Sequence, residues 1–130
     1  MSALEPLRMI KQGVDAWNEW REKTRTERPD LRNTNLSDLN LNGANFSNTR
    51  LQKCRFDNTD LTGSDMSKAS LDSASFSNTR LVGVNLEGSD AQRAKLIGAD
   101  LTRANFRAAD IRHADLSSSI FVDADFTDLS

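Results

Sequence analysis

The chain has 130 residues, 17 Lys and Arg against 19 Asp and Glu, and a formal net charge of −2, which supports one short domain. Charge this close to balance excludes strong nonspecific attraction to nucleic acid, and equally a strongly acidic surface. No apolar run approaches the roughly twenty residues of a membrane span, and a single cysteine excludes an internal disulfide.

Residues 3 to about 25 read as one amphipathic helix. Leu7, Ile10, Val14 and Trp17 recur at helical spacing with Trp20 beside them, while Lys11, Asp15, Glu19, Arg21 and Glu22 take the polar remainder. Pro6 suits the first helical turn, where its missing N–H is not needed. Pro29 marks the switch to extended chain. The polar face is not strongly basic, which disfavours a membrane-surface helix. The N-terminus also lacks the basic, apolar and small-residue succession of a secretion signal, so a cytoplasmic location is the expectation. Two regions follow: 1–28, a capping helix and linker, and 29–130, a repeat.

The repeat has a period of five. Every fifth residue from Leu31 to Phe126 is apolar, and all six phenylalanines fall in this phase. Two positions earlier runs a second column, Thr34, Leu39, Ala44, Thr49, Cys54 and onward to Ala124, mostly small or weakly polar. Residues two apart on extended chain point to one side. Both columns therefore face inward, the other three positions face water, and each pentad must turn a corner before the next.

Ala44-Asn45-Phe46, Ala99-Asp100-Leu101, Ala104-Asn105-Phe106, Ala114-Asp115-Leu116 and Ala124-Asp125-Phe126 resemble the consensus of the pentapeptide-repeat family, and the resemblance runs over residues 30 to 128. It implies an all-β solenoid: a right-handed quadrilateral β-helix with four pentads per coil, here about five coils. The segment Gly13, Trp17-Asn18-Glu19-Trp20-Arg21 and Pro29-Asp30-Leu31 resembles what precedes many bacterial arrays of this family. A solenoid end exposes its core and strand edges unless something covers them. Leu7, Ile10, Val14, Trp17 and Trp20 are accordingly expected to cap the first coil over Leu31, Leu36 and Leu41.

Four pentads per coil stack residues twenty apart. Every ladder of central residues is then apolar along its length, and Ala91 is the one undersized member, a candidate packing gap. Cys54 lies in the inward small column and reads as a buried filler.

No catalytic, cofactor or metal constellation is expected. His113 is the only histidine, so no Cys/His pair with an orienting group can be assembled. Asp60, Asp65, Asp90, Asp100, Asp110, Asp115 and Asp125 stand just before central residues, where a short carboxylate can hydrogen-bond the corner backbone. Gly43, Gly63, Gly83, Gly88 and Gly98 fall at turn positions. Arg32, Lys53, Arg93, Arg112 and His113 share one corner with Arg50 and Arg55 nearby, a solvated face or an anion site.

The functional expectation is a non-catalytic scaffold or protein-interaction module. The alternative is a DNA-mimicking regulator of an enzyme such as gyrase, because the resemblance includes quinolone-resistance members that imitate duplex DNA. Against it stand the short length, the balanced charge and a register without insertions. The expected partner is another protein, with neither nucleic acid nor membrane. An uncapped end at Ile111, Leu116, Phe121 and Phe126, beside an apolar stripe of Val82, Ile120 and Val122, is the expected association surface. A homodimer through that C-terminal end is expected ahead of a side-by-side dimer through Val82 and Val122.

Overall fold

The structure, a computed structural model, describes residues 4–130. Each pentad folds as a tight turn. The N–H of Thr34 donates to the carbonyl of Leu31 (3.2 Å), and the same closure recurs from Ala44 to Ala124. The third residue of every turn, from Asn33 to Asp128, is left-handed with φ between 54° and 72°, the signature of a type II turn. This column holds Asn, Asp, Gly, Ser, Lys, Arg, Ala and His but no β-branched residue, as a left-handed backbone requires.

Four turns close one coil. Backbone pairing is parallel and always twenty residues apart, in ladders that begin at Asp30↔Arg50, Asn35↔Arg55, Asn40↔Asp60 and Asn45↔Asp65; these define the first to fourth faces. Three hydrogen bonds join coils at each pentad: Leu31 N–H to the Arg50 carbonyl (2.9 Å), Asn33 N–H to that of Gln52 (3.0 Å), and Arg50 N–H back to that of Pro29 (2.8 Å). The backbone is thus satisfied between neighbouring coils, which lets a narrow core suffice.

Both inward columns form that core. Phe46, Leu51, Phe56, Leu61, Met66, Leu71, Phe76, Leu81, Leu101 and Phe106 are buried, and the small residues between them pack as tightly. Phe56 and Phe76 stack face to face at 5.0 Å and 6°, as do Phe106 and Phe126 at 4.9 Å and 13°. Ala91 is buried, so the site expected to hold a gap is closed to solvent. In the last coil the central residues Ile111, Leu116 and Phe126 are only partly covered.

The single helix expected over 3–25 is corrected to two, and Ala3 lies outside the described residues. Helix α1 spans Glu5–Ile10, with Pro6 in its first turn, and α2 spans Val14–Lys23. Gly13 between them has φ 105° and ψ 173°, a conformation open essentially to glycine alone. The apolar spacing runs on through Gly13, so the two helices share one buried stripe across a sharp bend. Among the described residues no helix is long and apolar enough to cross a membrane.

Candidate protein-interaction surfaces at the two ends

The solenoid ends are finished differently. At the N-terminal end α2 lies on the fourth face. Trp17, expected over Leu31, Leu36 and Leu41, is seated on Phe46, with ring centroids 5.5 Å apart. Its indole N–H donates to the Asn45 carbonyl (2.6 Å). Asn18 accepts the Asn45 N–H (2.8 Å) and donates to the Gly43 carbonyl (3.0 Å). Together these side chains imitate the missing strand edge of a preceding coil. Trp20 packs beside Trp17 at 5.2 Å and donates to Glu5 (2.9 Å), tying α2 to α1. Ile10 is buried, while Leu7 and Val14 are partly buried against the core.

Arg21 corrects the sequence reading, which placed it on the polar face. It is 3% exposed and donates to the carbonyls of Thr24 (2.9 Å), Glu27 (3.4 Å) and Ser47 (3.3 Å). Burial lowers its pKa, opposed by the charge of Glu27. A guanidinium carries enough donors to gather several carbonyls at once. Neither Asn18 nor Arg21 was legible as a capping residue, because the coil groups they hold, on Gly43, Asn45 and Ser47, lie more than twenty residues away.

At the opposite end Ile120, Phe121 and Val122 are 53%, 51% and 60% exposed. Val82, on the same outer ladder two coils earlier, is half-buried. The N–H groups of Ile111, Leu116, Phe121 and Phe126, whose counterparts in earlier coils donate to the coil above, have no partner among the described residues. An apolar patch, a partly open core and a free strand edge therefore coincide, bringing together all the residues of the expected association surface except Val82.

The three arginines of the basic corner are each paired with a carboxylate. Arg32 pairs with Asp30 (2.7 Å), Arg112 with Asp110 (2.7 Å), and Arg93 donates to Asp72 (3.0 Å). The arginine hydrogen bond is the leading cause that holds each of these carboxyls below its usual range. The seven corner aspartates all accept the N–H two residues on, as Asp100 does from Thr102 (3.1 Å) and Asp125 from Thr127 (2.9 Å). Cys54 is buried and donates to the Leu31 carbonyl (2.9 Å), and burial pushes its thiol pKa up to about 12. Among the described residues no group of three or more His, Cys, Asp or Glu could hold a metal ion.

Comparison with known proteins agrees with this geometry. A model described as "Pentapeptide repeat region" matches residues 23–86, and one described as "Pentapeptide repeats" matches 69–107 and 92–128. The pentapeptide repeat protein alr5209 of Nostoc PCC 7120 is similar in structure, with TM-score 0.62 and 23% identity over 83% of this chain and 94% of that one. HetL of Nostoc sp. strain PCC 7120, described as involved in heterocyst differentiation regulation, gives 0.43 and 24% over 78% of this chain and 46% of its own. A thylakoid-lumen pentapeptide repeat protein of Arabidopsis thaliana gives 0.48 and 24% over 78% and 63%. This chain thus spans less than two thirds of the length of the last two. No curated protein matches the sequence. With the matched segments running from residue 23 to 128 and the twenty-residue register beneath them, the chain belongs to the pentapeptide-repeat family and folds as its right-handed quadrilateral β-helix.

Proposed function

We propose that this chain is a non-catalytic scaffold that works by binding protein, and that its last coil is a self-association surface. One observation carries the reading: three consecutive exposed apolar residues, Ile120, Phe121 and Val122, stand beside a strand edge whose N–H groups have no partner among the described residues. Exposed apolar patches beside unpaired edges are association surfaces. A two-fold axis would set the patch against itself and stop growth at two chains. Val82 is too covered to anchor a side-by-side contact, so end contact is the favoured geometry. Asp115, Asp123 and Asp125 would approach their symmetry mates, so salt should strengthen the dimer by screening that repulsion.

The duplex-mimic alternative needs a dense acidic stripe. Three of the four acids along the first face, Asp30, Asp72 and Asp110, are instead matched by Arg32, Arg93 and Arg112, and the fourth, Asp90, accepts from the backbone and side chain of Gln92. Sedimentation equilibrium tests the dimer. Wild type should be dimeric and Val122→Asp monomeric, with equal melting temperatures in the dilute limit where both are monomers, because Val122 is 60% exposed. A strictly monomeric wild type at high concentration and high salt would overturn the self-association.

A further inference from the structure

The N-terminal edge is finished on only part of its perimeter. On the fourth face Trp17, Asn18 and Arg21 take up the N–H and carbonyl of Asn45 and the carbonyl of Ser47. On the second and third faces the N–H groups of Asn35 and Asn40 have no partner among the described residues, and both residues are exposed. One coil later the equivalent groups are paired, Arg55 N–H to the Thr34 carbonyl (3.0 Å) and Asp60 N–H to that of Leu39 (2.9 Å). Beside this open edge lies a cavity of about 270 Å³, lined by Leu7, Ile10, Leu36, Leu39 and Leu41, with Lys11 at its rim. Leu7 and Lys11 also border an adjoining depression that holds Leu4, 74% exposed, and Arg8.

Leu39 is the irregularity that shapes the cavity. From Thr34 to Ala124 the other members of its column are no larger than valine, and leucine does not fit the slot. The Thr59 hydroxyl accepts the Leu39 N–H (3.3 Å) and donates to the Leu36 carbonyl (2.6 Å), taking the place of the bond that closes every other turn from Thr34 to Ala124. The Leu39 side chain is left 44% exposed as one wall of the cavity.

We propose that this end binds an extended peptide segment of a partner protein. The peptide backbone adds a strand along Asn35 and Asn40, where a preceding coil would lie, and one large apolar side chain enters the cavity. An acidic residue of the peptide meets Lys11 or Arg8. The cap's described ion pairs, Lys23 with Glu19 and Arg25 with Glu22, leave both cations unpaired among the described residues. An extended backbone is the ligand class that supplies alternating donors and acceptors to a strand edge, whereas a small amphiphile would fill the cavity and leave Asn35 and Asn40 to water. This site is at the opposite end from the proposed dimer contact and stands or falls without it.

The test is an NMR titration of the ¹⁵N-labelled full chain. The probe is an acetylated peptide copying residues 94–103, the segment that holds the equivalent slot beneath the last coil. Saturable shifts and slowed hydrogen exchange at the Asn35 and Asn40 amides are expected. The same peptide carrying L96D and L101D should not bind. Leu39→Ala, which fits its column and removes the cavity wall, should weaken binding by about tenfold or more with no loss of melting temperature. Equal binding by Leu39→Ala, shifts confined to the last coil, or no response at millimolar peptide would overturn the proposal. So would saturation of the Leu39 methyls by octanoate with the peptide silent.

Discussion

Ala108 is the one alanine in the left-handed column, at φ 59°. A Cβ in that region crowds the following carbonyl, yet alanine, lysine and arginine are accommodated there beside the glycines. Branching at Cβ is what the column excludes. Ala108→Val should therefore destabilise by about 1–2 kcal/mol, while Ala108→Gly should leave stability nearly unchanged, because relief of the strain offsets the added freedom of the unfolded chain. Urea melts of the two variants would show it; equal stability would mean the turn at Ala108 flips to accept valine. The small inward column shows a comparable selectivity. Thr59 and Thr79 donate to the carbonyls of Leu36 and Phe56 one coil below, both at 2.6 Å, whereas the hydroxyls of Ser64 and Ser89 are buried with no partner among the described residues.

At the scale of elements, the described residues set a pair of helices on the first coil and none on the last, and the difference is measurable with aromatic residues. Trp17 is fully buried, packs on Phe46 and holds the Asn45 carbonyl. Trp17→Ala should cost about 3–5 kcal/mol, as large aromatic truncations in cores do. Phe126 stacks on Phe106 at 4.9 Å but is only partly covered, so Phe126→Ala should cost no more than about half of that range. Chemical denaturation of both variants decides it, and comparable losses would mean the last coil is covered in solution.

The elements also show what a sequence of this kind reveals. A five-residue period with two inward columns leaves one way to bury both, so the coils and their ladders were legible from Leu31 onward. The bend at Gly13 was not, because Leu7, Ile10, Val14 and Trp17 keep helical spacing straight through it. Arg21 read as a solvent-facing cation because its carbonyl partners are supplied by a linker and by a coil that sequence alone does not bring near. Leu39 stood out by size in its column, but its consequence depends on the Thr59 hydroxyl one coil away. The apolar cluster Ile120, Phe121 and Val122 was legible as a surface, since two of the three occupy outward positions of the pentad.

For the whole molecule the corner aspartates set a pH limit. Asp100 lies below the usual carboxylate range, first through the Thr102 hydroxyl and then through the Thr102 amide. Asp115 is lowered by the hydroxyl and amide of Ser117, and Asp125 by the amide and then the hydroxyl of Thr127. Burial raises the pKa of Asp60, but the hydrogen bonds from Thr62 and Asn42 and the charge of Arg80 together outweigh it and the net direction is down. Asp30, Asp72 and Asp110 are lowered by arginines. The sign follows from linkage. A carboxyl whose pKa is lower folded than unfolded contributes all its stability above the unfolded value, about 3.9 for Asp, and loses it as pH falls through the folded value. Because these groups recur at corners from Asp30 to Asp125, their small contributions act together along the stack. The melting temperature should be flat from neutral pH to about 5 and fall steadily below about 4. Asp100→Asn keeps an acceptor oxygen for Thr102 but cannot titrate, so its acid slope should be shallower than that of wild type. A melting temperature that holds steady to pH 2, or an Asp100→Asn slope as steep as wild type, would show that the aspartates hold their corners by shape and not by charge.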